Sequence, residues 1–283
     1  MPRVSAVYVY PVKSCRGLAV DSAALDARGF VGDRRFLVVD DRGQFLTQRV
    51  HPRMALIHTA YADESLVLSS PDHGRATVPL AESRRRQIAA TVWKDTVMAD
   101  DCGEEPAKWL SDLLGVSCRL VHAGSSYTRR IPDRKVPHGL TAPTPAAATS
   151  DSQASTGHEV SFADAFPFLV ISEESLADLN ARLAVPLPMN RFRPNVVVSG
   201  AAPYAEDGWA RFRIGEVVFH GATRCARCVV TTTDQLTAER AQEPLRTLAG
   251  YRRDADGSVM FGRNLVHETK TGRVSVGDPV ELL

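Results

Sequence analysis

The sequence predicts an α+β chain, mostly β, with β-barrel character and a few helices. Three observations carry this. Short apolar, β-branched runs recur along the chain between Gly, Pro and Asp turns. Few stretches place apolar residues at helical spacings of three and four. Strands and helices do not alternate in the way that builds a doubly wound parallel sheet. A small, polar, Pro-rich stretch then divides two ordered-looking regions. The expected organisation is a first domain over 1–122, a mobile connection over 123–160 and a second domain over 161–283.

Taken in order, residues 4–12 are apolar and β-branched and end at a Pro-containing turn, so they read as the first strand. Residues 36–40 and 44–48 flank Asp41-Arg42-Gly43 and read as a hairpin, with Gly43 supplying a positive φ. Residues 55–61, 65–68 and 76–80 are further short strands. Ala107, Leu110, Leu113 and Leu114 share a helical face that Gly115 terminates. Strand returns at 118–121. The run Thr-Ala-Pro-Thr-Pro-Ala-Ala-Ala-Thr-Ser at 141–150 lacks the apolar surface to fix itself.

In the second half, residues 167–171 are a buried strand. Ser172 caps the following helix, whose first turn carries Glu173 and Glu174 and whose apolar face is Leu176, Leu179 and Leu183. Residues 195–199, 212–214, 217–220 and 229–233 read as strands, and 244–248 as a short helix. Residues 273–282 form a last strand pair around Gly277-Asp278-Pro279.

Lys plus Arg number 34 and Asp plus Glu 33, a formal net charge of +1. No global positive excess points to nucleic acid. The longest apolar runs fall far short of the about 20 residues that span a bilayer, and the first residues lack a signal-peptide core. A cytoplasmic protein without a membrane partner is expected. The odd set Cys15, Cys102, Cys118, Cys225 and Cys228 does not form a disulfide framework.

Four patches can carry chemistry. Arg224-Cys225-Ala226-Arg227-Cys228 places two thiols three positions apart, each after an arginine, a setting that favours thiolate. A structural zinc site, a thioredoxin-type dithiol and two small buried residues all remain open readings of this pair. Lys13-Ser14, in the turn after the first strand, suits an anionic group such as phosphate. Asp33-Arg34-Arg35 offers guanidinium groups for an oxyanion, or a surface ion pair. Asn190 to Asn195 adds Arg191, Arg193 and two amides for a polar planar ligand.

Together these residues resemble the MOSC-domain family with its N-terminal β-barrel domain. The family includes the mitochondrial amidoxime-reducing component and its bacterial relatives. The likeness runs nearly end to end. It rests on Tyr-Pro-Val-Lys-Ser-Cys at 10–15, Asp33-Arg34, Asp-Cys-Gly-Glu at 101–104 and Arg-Leu-Val-His at 119–122. It continues in Pro-Phe-Leu-Val-Ile-Ser-Glu at 167–173, Phe-Arg-Pro-Asn-Val-Val at 192–197, Tyr-Ala-Glu-Asp at 204–207 and Val-Gly-Asp-Pro-Val at 276–280.

The resemblance implies a molybdenum oxidoreductase that binds the molybdenum cofactor, Mo-molybdopterin. Cys228 is the implied metal ligand. Lys13, Ser14, Arg34, Arg193, Asn195, Ala226 and Arg227 are the implied cofactor contacts. Asp234 is an expected catalytic partner that orients the metal's oxygen or water. The implied reaction reduces N-hydroxylated substrates (amidoximes, hydroxylamines, N-hydroxylated bases) to amines or amidines. Pyridoxal phosphate binding is a further association of the family that the residues themselves do not call for.

Two departures from the family pattern matter. Asp164 is followed by Ala165 and Phe166, where animal members carry small hydroxyls. No iron–sulfur module is expected after the last strand, and no membrane anchor before the first. Electrons are therefore expected from a separate reductase, ferredoxin or cytochrome. The alternative function is a cofactor carrier or a sulfur-transfer protein using a Cys228 persulfide. A structural protein with incidental cysteines is the third reading.

Overall fold

The computed structural model describes residues 1–81, 85–137, 140 and 157–283. Its described part is mostly β with three α-helices, Glu104–Leu114, Glu173–Asn180 and Leu245–Ala249. The largest sheet has eight strands. Its spatial order is Val280–Leu282, Arg211–Ile214, Val217–Ala226, Met260–His267, Phe168–Ser172, Val196–Ser199, Arg3–Val9 and Leu18–Val20. Phe168–Ser172 and Val196–Ser199 pair in parallel, joined through the helix Glu173–Asn180. All five residues of Phe168–Ser172 are buried, as a strand covered on both faces requires.

The first strand joins this sheet rather than staying within its own half. Arg3–Val9 pairs antiparallel with Val196–Ser199. A register shift between Val4 and Ala6 lets Val4, Val7 and Val9 all turn inward despite their uneven spacing. Ser22–Asp26 pairs with Arg273–Ser275 near the other end of the chain. Hydrogen bonding thus crosses between the two halves of the chain, because the first strands complete the core of the second half.

A four-stranded sheet (Phe36–Asp40, Cys118–His122, Asp95–Asp101, Gln87–Val92) and a three-stranded one (His58–Ala62, Ser65–Ser70, Gly74–Pro79) build the rest of the first half. The helix Glu104–Leu114 buries Ala107, Leu110 and Leu113 against them and stops at Gly115, whose φ is +68°. Ser172 caps the second helix by accepting from the Ser175 N–H at 3.0 Å. Gly43 has φ +74°, and a Cβ there would lie 2.4 Å from the Ala89 carbonyl, so both turn and packing demand glycine.

Several expectations are corrected. Residues 229–233 are not a strand: Val229–Thr232 is a 3-10 turn. The hydroxyls of Thr231 and Thr232 donate back to the Cys228 and Val229 carbonyls at 2.9 and 2.8 Å, and these local bonds outweigh β-propensity. Residue 55 lies in the 3-10 turn Pro52–Leu56, and the strand starts at His58. Residues 44–48 contribute only isolated bridges, at Gln44 and Phe45, although Leu46 still bonds Val38. Leu183 lies past the end of its helix. The strand from Val217 runs on to Ala226.

The 123–160 connection is packed where it is described. Ala123, Tyr127, Ile131 and Val160 are buried. Arg129 donates to the Ser161 and Ala163 carbonyls at 3.2 and 2.6 Å. The Pro-rich run at 141–150 lies outside the described residues.

Candidate functional site

The turn after strand Arg3–Val9 straddles the two halves. Val12 bridges to Phe36, and the Lys13 N–H donates to the Phe36 carbonyl at 2.9 Å. This turn forms one wall of a cleft of about 780 Å³. Lys13, Ser14, Arg34, Arg193, Asn195, Ala226, Arg227 and Cys228, separated by up to 215 positions in sequence, all line it.

The cationic wall is tied together by short bonds. Arg34 donates to Asp33 at 2.6 Å and to the Asn195 side-chain oxygen at 3.0 Å. Asp33 in turn accepts from the Tyr10 N–H at 2.8 Å. Arg193 donates to the Cys15 carbonyl at 2.7 Å. Asn195 also accepts from the Leu169 N–H and donates to the Tyr8 carbonyl. Ser14, Arg34 and Arg193 have φ of +68°, +50° and +56°. Three left-handed non-glycine residues on one wall cost conformational energy that the surrounding bonds must hold in place.

Behind this wall lies Tyr10, a residue that sequence reading noted only as part of a motif. Its ring centroid is 4.6 Å from the Arg34 guanidinium and 4.3 Å from that of Arg193. Its hydroxyl donates to the Pro194 carbonyl at 3.0 Å. Gly17 lets the ring in: a Cβ there would come within 2.4 Å of it. Burial drives the phenol pKa far upward, so Tyr10 stays neutral beneath the two cations.

Lys13 is buried and its ammonium pairs with Asp164. Burial lowers its pKa to about 8, against the opposing pull of Asp164. Burial alone pushes Asp164 upward, but the Lys13 ammonium, with Arg49 and the Trp93 N–H, holds its carboxyl well below the usual range. Asp164 is the one carboxylate in the cleft lining among the described residues. The positions after it, Ala165 and Phe166, line the cleft with apolar surface.

Cys225 lies near the end of strand Val217–Ala226, and Cys228 precedes the 3-10 turn Val229–Thr232. Both are half-buried free thiols in the cleft lining. The arginine before Cys228 serves the other cysteine: Arg227 donates to Cys225 Sγ at 2.9 Å and to the Phe192 carbonyl at 2.6 Å. Arg224 pairs instead with Asp254 at 2.8 Å. Cys228 Sγ makes no hydrogen bond with any described residue. Among the described residues, no three His, Cys, Asp or Glu side chains are grouped where they could hold a metal ion.

Asp234 is not a lining residue of the cleft. Its carboxylate accepts from the N–H groups of Leu236 and Thr237 at 2.8 and 3.0 Å, and Arg191 approaches at 3.4 Å. Its carboxylate thus closes its own turn, and the catalytic role expected of it rests on the resemblance alone.

Residues 1–117 match the MOSC N-terminal beta barrel domain, and residues 157–281 match the MOSC domain. The chain belongs to the MOSC family. Mouse mitochondrial amidoxime-reducing component 1 is 35% identical to this MOSC protein, over 99% of this chain and 82% of the relative. A zebrafish molybdenum cofactor sulfurase is 33% identical over 93% of this chain, which spans 32% of that longer protein. The solved structure of YuaD from Bacillus subtilis aligns with 99% of this MOSC chain and 95% of its own, at 13% identity and a TM-score of 0.40. Among the described residues no helix is long and apolar enough to cross a membrane.

Proposed function

We propose that this MOSC protein is a molybdenum-cofactor-dependent reductase of N-hydroxylated compounds. The observation that carries it is the cleft. It brings one thiol without a hydrogen-bond partner among the described residues, Cys228, into the same lining as buried Lys13 and half-buried Arg34 and Arg193. A soft thiolate suits molybdenum, and guanidinium and ammonium groups suit a pterin phosphate. The Arg227 Nε is buried without a partner among the described residues, a donor that a bound polar group would satisfy. The near-full-length likeness to proteins named amidoxime-reducing component supports the same reading.

In this proposal Cys228 ligates the metal. Lys13, Arg34 and Arg193 hold the phosphate, with Ser14 and Asn195 completing the polar cradle. Ala226 and Arg227 line the approach to the thiol. Asp164 keeps Lys13 charged and in place. The cofactor, when bound, supplies the two-electron chemistry that removes oxygen from nitrogen. The overall change takes R–NH–OH, two electrons and two protons to R–NH2 and water. The electrons come from a separate donor protein, and the protein works in the cytoplasm.

The test is expression in a host that makes the cofactor, followed by molybdenum and pterin analysis and reduction of benzamidoxime by an artificial donor. Near-stoichiometric molybdenum with turnover is expected. Molybdenum content that survives Cys228→Ala removes Cys228 from the site. A persulfide on Cys228 without turnover selects the sulfur-transfer reading, for which the zebrafish sulfurase likeness is the supporting observation.

A further inference from the structure

Arg134 and Lys135 stand apart from every other cation in the cleft. They form part of the 3-10 turn Asp133–Lys135 and line the cleft, yet make no ion pair or side-chain hydrogen bond with any described residue. The other lining cations are engaged. Lys13 and Arg49 share Asp164, Arg34 holds Asp33 and Arg224 holds Asp254. Arg193 and Arg227 donate to backbone carbonyls.

The two also stand on different ground. Lys13, Arg34 and Arg193 are fixed to the turn around Tyr10. The 134–137 turn packs instead through Val136 on the cluster that contains Phe166, alongside Ala165 and Ala222. That face is apolar, and the two cations border it. A cleft with one bound, tied set of cations and a second, untied set beside an apolar face is built for two anions at different places.

Resting on the function proposed above, we infer that the second set selects the substrate: an N-hydroxylated compound with an apolar body and an anionic end. The apolar body lies against Phe166 and Val136. The anionic end meets Arg134 and Lys135, whose charges are paired with no described residue. Binding there forms charge-assisted hydrogen bonds without first breaking an ion pair.

The experiment compares benzamidoxime, 4-carboxybenzamidoxime and a 4-trimethylammonio analogue as substrates of the purified protein. Each is tested with wild type, Arg134→Gln/Lys135→Gln and Arg134→Lys/Lys135→Arg. Binding of the carboxylate and the neutral compound is followed in parallel by calorimetry. Wild type is expected to favour the carboxylate over the neutral compound by roughly tenfold in kcat/KM, through KM. The Gln pair loses that preference, the charge-keeping pair retains it, and benzamidoxime turnover and molybdenum content stay unchanged.

A wild type that shows no preference for the anion overturns the inference. So does an equal loss for all three compounds in the Gln pair; if more electron donor relieves that loss, the two cations dock the donor protein. A protein that reduces none of the compounds, yet binds the carboxylate through Arg134 and Lys135, refutes the reductase reading and leaves the anion wall standing.

Discussion

Tyr10 carries the Arg193 guanidinium 4.3 Å above its ring centroid, and Arg34 shares the same ring at 4.6 Å. Both cations share one ring, and the ring quadrupole and, for Arg34, the Asp33 carboxylate favour their charges. The pair is therefore aimed before any ligand arrives, which lowers the ordering cost of binding an anion.

Tyr10→Leu is expected to weaken cofactor retention by roughly tenfold, from loss of the ring–cation contacts at about 1 kcal/mol or more. Tyr10→Phe loses only the bond to the Pro194 carbonyl and should retain most of the cofactor. Pterin and molybdenum per chain after dialysis separate the two. Equal loss in both variants assigns the effect to the hydroxyl.

The two cysteines should behave differently. Cys228→Ser is expected to lower molybdenum content by more than about tenfold, since a hydroxyl is a poor ligand for a soft metal site. Cys225→Ser removes the sulfur that Arg227 approaches at 2.9 Å and should leave most of the metal in place. Metal analysis of both variants, with circular dichroism to check folding, decides this.

Anion binding should fall as pH rises through about 8, where buried Lys13 loses its proton. The sign follows from burial: the charged form is disfavoured, so deprotonation comes earlier than in a free lysine. Asp164 favours the charged form, so Asp164→Asn should move the fall to lower pH. Lys13→Arg should abolish it within the range below pH 10. Phosphate or pterin affinity measured from pH 6 to 10 reads all three.

Stability should drop as pH falls below 6.5. Burial lowers the His267 pKa from 6.5 to about 3, with Lys270 opposing the charge as well. Between those values the unfolded chain binds the proton and the folded chain does not, so each step down in pH favours unfolding. His122, lowered to about 4 chiefly by burial, adds to the same limb. His267→Gln should flatten the decline in denaturation midpoint between pH 6.5 and 4, whereas an unchanged slope removes His267 as its source.

Elements with a strong local signal were legible. Ser172 with its two glutamates marked a helix start, and Gly115 marked a helix end, because caps depend on neighbours in sequence. Met260–His267 was not legible: Gly262, Arg263 and Asn264 mask its strand character, and pairing with a neighbour on each side overrides it. The turn Val229–Thr232 misled in the opposite sense, since β-branched residues that bond their own carbonyls leave the sheet.

The sequence by itself determined the mostly β character, the family resemblance and the residue types of the cleft, because short motifs carry caps, turns and ligand chemistry locally. Tertiary structure alone decided which of them work together. It joined the first strand to the second half's sheet and placed Tyr10 beneath Arg34 and Arg193. It turned Arg227 toward Cys225, set Asp234 to close its own turn and left Arg134 and Lys135 unpaired among the described residues. These are relations between residues distant in sequence or between side chains competing for partners. They are settled by packing and charge once the sheets close, and no local spacing encodes them.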